Sequence, residues 1–423
     1  MPDLSKIDRQ NIWHPFTPLS GGDDPILISS ASGVYLHTPD GRKILDAISS
    51  WWVNLHGHSN PEIAGALAKQ ALELEHVIFA GFTHEPAITL AKNLLSILPG
   101  NQSRIFFSDN GSTAVEVALK MAIQYWDNLG LAKREIIALD GAYHGDTFGS
   151  MSVGERSLFT QPFRNHLFDV GFVGFPSGTN ERSIIDDFKN RIAGGNVAAF
   201  IFEPLVQGAA GMRIYNPSFL DELMAIAQAN DVICIADEVL TGFGRTGRLF
   251  ASEYLKCQPD IIALSKGITG GTMPLGATSC SGRVASAFMS EDFQKTFFHG
   301  HSYTANPLAC AAANASFSLL MREECQTSIR DISASHVSFI SRIKNHPRVL
   351  AARSLGTILA VELRSDENSS YANSLRKKIY SFFLSRNILL RPLGNVIYIL
   401  PPYVISHQEL ETIYRAIAEF LDE

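Results

Sequence analysis

The run Val232-Ile233-Cys234-Ile235-Ala236-Asp237-Glu238 is short, apolar on both faces and ends in two acids. A strand that is apolar on both faces belongs in a parallel sheet covered by helices. Four similar runs, at 104–108, 136–139, 198–202 and 261–264, lie around it. Stretches of helical period separate them. The clearest, 112–126, carries Val115, Ala118, Leu119, Ala122 and Trp126 on one face. The pattern predicts an α/β fold with a large, mostly parallel sheet.

The two acids at the strand end admit three readings. A magnesium site of the nucleotide-hydrolase kind needs a G-x-x-x-x-G-K-[ST] loop, and the chain has no Gly-Lys dipeptide. The carboxylate can instead pair with a buried cation, or be held by loop amides. Downstream, Gly242-Phe243-Gly244-Arg245-Thr246-Gly247 matches G-x-G-x-x-G. It does not follow a strand directly, because Asp237 to Thr241 intervene, so a dinucleotide fold is not supported.

Two further stretches end predicted strands. Ser108-Asp109-Asn110-Gly111-Ser112-Thr113 opens a helix, where free N–H groups and the helix dipole suit a phosphate. Read alone, it is an ordinary capped turn. Leu264-Ser265-Lys266-Gly267 puts a lysine at the end of a buried run. A desolvated lysine has a lowered pKa and can form a Schiff base, although an isolated one more often reaches the surface. Taken together, a phosphate turn, a strand-end acid and a strand-end lysine are what pyridoxal 5'-phosphate demands.

At this point the chain resembles the class III, or ω, aminotransferases of fold type I. The motif from Ala236 to Gly247, with Lys266 downstream, is similar to that family's signature. Trp13-His14-Pro15-Phe16-Thr17, Ser50-Trp51-Trp52, Gly141-Ala142-Tyr143-His144-Gly145-Asp146-Thr147, the stretch from Asn306 to Asn314, and Arg391-Pro392-Leu393-Gly394 resemble the branch serving biotin synthesis. The resemblance covers nearly the whole chain. It implies ping-pong transamination of 8-amino-7-oxononanoate through a Lys266 Schiff base, with S-adenosylmethionine or lysine as amino donor. It also implies a cytoplasmic homodimer with a shared active site.

The residue roles follow from the resemblance. Lys266, Asp237 and Tyr143 are the expected catalytic residues. Gly111 and Ser112 are expected at the cofactor phosphate, together with Ser302 of a neighbouring subunit. Tyr143 and Val239 are expected on the two faces of the ring, and Gln207 near its phenolic oxygen. Phe16, Trp51 and Trp52 are expected to line a channel for a long apolar keto acid. Arg391 would meet its distal carboxylate, a task suited to a guanidinium fork. Asp146, Gly300 and Arg245 complete the expected substrate side. Phe16 stands where many members have Tyr, Ser302 where they have Thr, and Ala305 where they have Gly. Two other readings stay open: an aminotransferase for ornithine or 4-aminobutyrate, and a non-catalytic module on the same fold.

Composition sets the remaining bounds. The 423 residues carry a net charge of -7, and so lack the basic footprint of a general nucleic-acid binder. The five cysteines show no C-x-x-C spacing, which fits reduced thiols. No apolar run reaches the roughly 18 residues of a membrane span, and Met1 to Asp8 has no signal-like apolar core. His56-Gly57-His58 and His299-Gly300-His301 lack the flanking ligands of a metal site, so no metal is expected. The length suits a large cofactor domain over 56–315 and a smaller α+β domain over 316–423. Residues 1–55, with turn signals at Gly21-Gly22 and Pro39-Asp40-Gly41, are expected to pack against the smaller domain.

Overall fold

The computed structural model describes residues 4–21, 24–367 and 371–423; Gly22 of the first turn signal and the first three residues lie outside these. A seven-stranded sheet forms its centre. Its spatial order is Gln102–Ser108, Gly276–Ser281, Ile261–Leu264, Ile233–Asp237, Val197–Phe202, Glu135–Leu139 and Gly171–Val173. All five expected strands are present within a residue or two. The inner ones are buried along their whole length, as runs apolar on both faces require.

Gly276–Ser281 alone runs antiparallel to its neighbours, and its sequence GATSCS is too small and polar to read as a strand. Its hydroxyls are satisfied internally. Thr278 Oγ1 donates to the Ala114 carbonyl at 2.8 Å, and Ser279 Oγ donates to Gln102 Oε1 at 2.8 Å. Small side chains here let the helix Gly111–Asn128 lie close to the sheet. That helix starts directly after a strand end and is capped reciprocally by Asn110 and Thr113.

The far ends of the chain meet. Lys43–Asp46 pairs antiparallel with Tyr35–His37 and parallel with Ile388–Leu389. A second sheet of Val349–Leu355, Ile358–Leu363 and Val396–Ile399 is wholly antiparallel. The helix His407–Asp422 begins at a capping box formed by Ser406 and Glu409. Inside this unit His336 is fully buried between the Tyr414 hydroxyl at 2.6 Å and the Thr357 carbonyl at 3.0 Å. A boundary at 315/316 does not fit. It would cut the helix Pro307–Leu320, which packs on Pro61–Glu73 and Glu85–Ile97, so the C-terminal unit begins after that helix.

Among the described residues no helix is long and apolar enough to cross a membrane.

Candidate active site

The carboxyl ends of the central strands open into a cavity of about 510 Å³. In open α/β sheets, ligands bind at this edge. Lys266, Asp237, Tyr143, Gly111, Ser112, Val239 and Trp52 all line it, although they come from five separate segments. Two acids define the floor. Asp237 accepts from Val239 N–H at 3.0 Å with one oxygen and meets His144 Nδ1 at 2.7 Å with the other. His144 Nε2 is buried and has no hydrogen-bond partner among the described residues.

The second acid, Glu203, ends the strand next to that of Asp237. It accepts the Tyr143 N–H at 3.0 Å and the Gly208 N–H at 2.9 Å. Burial pushes its carboxyl up to about 7, and the neighbouring Asp237 adds to this. Glu203 and His144 had no assigned role in the sequence reading. An acid closing a buried strand was the signal used for Asp237, and Glu203 carries the same signal.

Lys266 caps the floor in left-handed backbone geometry (φ 47°), with its ammonium 4.6 Å from the centre of the Trp52 ring. Burial pushes it down to about 8; Asp237 and Glu203 oppose the shift. At one end of the cavity the N–H groups of Gly111 and Ser112 begin a helix and so lack intrahelical acceptors. A Cβ at Gly111 would stand 2.8 Å from Val239 Cγ1, so only glycine leaves this cradle open.

The tryptophan pair stands in a strained turn. Ser49, Ser50 and Trp52 have φ of 53°, 60° and 69°. Asp46, fully buried, holds the turn by accepting from Ile48 N–H and Ser50 N–H at 3.1 and 2.6 Å, and it meets His58 Nε2 at 2.8 Å. The turn separates the two rings. Trp52 faces the floor and donates its Nε1–H to the Tyr398 hydroxyl at 2.9 Å. Trp51, next in the chain to Trp52, stays exposed outside the cavity lining, 5.7 Å from Phe16, and begins an aromatic rim, the mouth, beside the cavity. Arg391 lies over the Trp51 ring at 4.6 Å.

Other expected residues fall elsewhere. Arg245, expected on the substrate side, does not line the cavity. It is buried beneath the site, donating to the carbonyls of Pro401, Trp52 and Asn54 at 2.9, 3.3 and 3.1 Å. Its work is to tie the tryptophan turn to the C-terminal unit. Gln207 is fully buried outside the cavity lining, its amide engaged by the Asp140 carbonyl and Arg213. Asp146 is exposed beside Tyr143, and its N–H donates to Ser112 Oγ at 3.1 Å. Gly300 and Ser302 lie outside the cavity lining. The histidine pairs make ordinary contacts: His56 with Ser316, and His299 with Lys120. Ala305 carries the positive φ, 53°, that a glycine would take more easily.

A family model for aminotransferase class III matches residues 19–421. The chain belongs to the class III aminotransferases. A Synechococcus elongatus protein named adenosylmethionine-8-amino-7-oxononanoate aminotransferase is 50% identical over 98% of this chain and 99% of that one. A Staphylococcus aureus protein of the same name is 36% identical over 97% and 96%. The crystal structure of the aminotransferase of that name from Methanocaldococcus jannaschii superposes with a TM-score of 0.93 at 34% identity, covering 99% and 98% of the two chains. An omega transaminase from Pseudomonas jessenii in complex with PMP gives 0.93 at 26% identity, over 99% and 97%.

This aminotransferase is therefore an enzyme that depends on pyridoxal 5'-phosphate. The cavity fits that cofactor. It offers a helix-start cradle for a phosphate, a depressed lysine for an aldehyde and a strand-end acid for a ring nitrogen.

Proposed function

We propose that this class III aminotransferase converts 8-amino-7-oxononanoate to 7,8-diaminononanoate, a step of biotin synthesis, with S-adenosylmethionine as amino donor. The observation that carries the reading is the full-length likeness, at 50% identity, to the Synechococcus elongatus protein of that name. The mouth agrees with it. A long apolar acid would run past Trp52, Trp51 and Phe16 and end at Arg391, which makes no ion pair among the described residues.

Bound in the cavity, the cofactor supplies an electron sink for the reacting carbon. Lys266 would bind its aldehyde and, once released, move a proton at the substrate carbon. A lysine pushed down to about 8 by burial has a usable free-base fraction near neutral pH, which an ordinary lysine lacks. Asp237, braced by His144, would hold a proton on the ring nitrogen. Gly111 and Ser112 would bind the phosphate, with Val239 and Tyr143 against the ring. The floor excludes water on one side through Trp52 and Val239.

A homodimer belongs to this reading. Ser302 and Gly300 lie outside their own cavity, and the exposed Tyr303 and Phe298 flank them, as expected of a loop that serves a second copy. A cytoplasmic setting would keep all five cysteines reduced; each is free.

The test is substrate choice. Purified holoenzyme is given 8-amino-7-oxononanoate with S-adenosylmethionine or with lysine, and in parallel 4-aminobutyrate or ornithine with a keto acid. Product 7,8-diaminononanoate with S-adenosylmethionine is the expected result. Turnover of 4-aminobutyrate or ornithine with none of 8-amino-7-oxononanoate would overturn the reading. Faster turnover with lysine would correct the donor alone.

A further inference from the structure

Arg391 does not stand alone at the mouth. Its Nη2–H donates to the Tyr371 hydroxyl at 3.3 Å while its plane covers the Trp51 ring. Tyr371 is held in turn from both sides. The ring of Phe159 meets it edge-on at 5.0 Å, and the guanidinium of Arg376 lies 4.3 Å from its centre. Phe159 also meets Phe16 at 5.8 Å, so the aromatic rim continues round the opening. Tyr371 and Trp51 thus meet the guanidinium directly, and Phe159 and Phe16 extend the aromatic group around them.

We propose that Tyr371 is a specificity-determining residue that binds the distal carboxylate of the amino acceptor together with Arg391. The inference rests on the acceptor reading given above. The chemistry follows from the donor inventory. A phenol that accepts the Arg391 N–H keeps its own O–H proton to donate. A carboxylate arriving at Arg391 can take one N–H from the guanidinium and the O–H from Tyr371, filling sites on both oxygens. Neither donor needs to move far, because stacking holds Arg391 and edge packing holds Tyr371. An acceptor without a distal carboxylate gains nothing from the pair. The arrangement therefore selects acids against neutral chains of equal length.

The test compares the wild-type holoenzyme with Tyr371→Phe and Arg391→Ala, using 8-amino-7-oxononanoate and its methyl ester as acceptors. Tyr371→Phe removes one hydroxyl at a partly exposed position and keeps the ring packed on Phe159. The expected result is a KM for the acid raised about tenfold, as for a lost hydrogen bond to a charged group. The kcat and the donor half-reaction stay as in the wild type, and the ester is used equally by both proteins. An unchanged KM for the acid in Tyr371→Phe, with a raised one in Arg391→Ala, overturns the role of Tyr371 and leaves the acceptor reading intact. A KM raised equally for acid and ester overturns it too, since that is a packing effect. If Arg391→Ala also leaves the acid's KM unchanged, the carboxylate site itself is elsewhere and the acceptor reading of the mouth fails.

Discussion

The floor of the cavity and its mouth are built on opposite terms. The floor stands on strand ends. Asp237, Glu203 and Lys266 follow neighbouring buried strands, and the sheet register brings them together. The mouth stands on turns and loops. Phe16, Trp51, Phe159, Tyr371 and Arg391 are held mainly by one another. The floor shifts pKa values by burial, and the mouth offers aromatic faces and a guanidinium. This division teaches that the chemistry and the choice of substrate are separable in this protein. Changes at the floor should strike kcat, and changes at the mouth should strike KM.

The largest effect expected is at Lys266. Lys266→Ala should lower turnover by about 10⁴-fold, the upper range for a lost acid–base group, with folding unchanged by circular dichroism. Residual cycling of donor and acceptor at near wild-type rate would break the division at once. Asp237→Asn should lower kcat by roughly 10²- to 10³-fold, since it removes an electrostatic stabiliser at the reacting system. Steady-state kinetics should show little change in the acceptor KM. Arg391→Ala should do the reverse, raising that KM roughly 30-fold or more, as for losing a charge-assisted hydrogen-bonded contact to a carboxylate. The kcat at saturation should hold, the sign of lost uniform binding.

A smaller effect concerns the unit that carries part of the mouth. Burial holds the His336 imidazole down at about 4, against 6.5 when free. The unfolded chain therefore takes up this proton first. The stability is complete above about pH 6.5 and is lost as pH falls towards 4, by up to about 3 kcal/mol. Urea midpoints measured between pH 7 and 4.5 should fall, and His336→Gln should make the fall shallower. A slope unchanged in that variant would remove His336 from the account. The smallest effect is expected at Ala305, outside the cavity lining. Ala305→Gly relieves a left-handed alanine but frees the unfolded chain and deletes a buried methyl, so thermal unfolding should shift by no more than about 1 kcal/mol.

How much of this was legible in the sequence divides along the same line. The parallel strands and the floor residues Asp237, Lys266 and Gly111 were readable because each sits at the end of a local pattern. Glu203 was readable by the same rule and was passed over. The strand Gly276–Ser281 was not, because its small polar residues are satisfied by partners distant in the chain. The burial of Arg245 was not legible, because an arginine inside a glycine-rich loop gives no local sign that three carbonyls from two other segments surround it. Tyr371 and Phe159 lie in loops without periodicity. Only the folded arrangement brings them to Arg391.

The central claim is that Lys266, set at the floor by the sheet, is the residue to which the cofactor is joined. Borohydride reduction of the holoenzyme, followed by digestion and mass spectrometry, tests it most directly. The account predicts a pyridoxyl group on the peptide containing Lys266 and on no other. A label on a different lysine, or none at all on a catalytically active preparation, would contradict it.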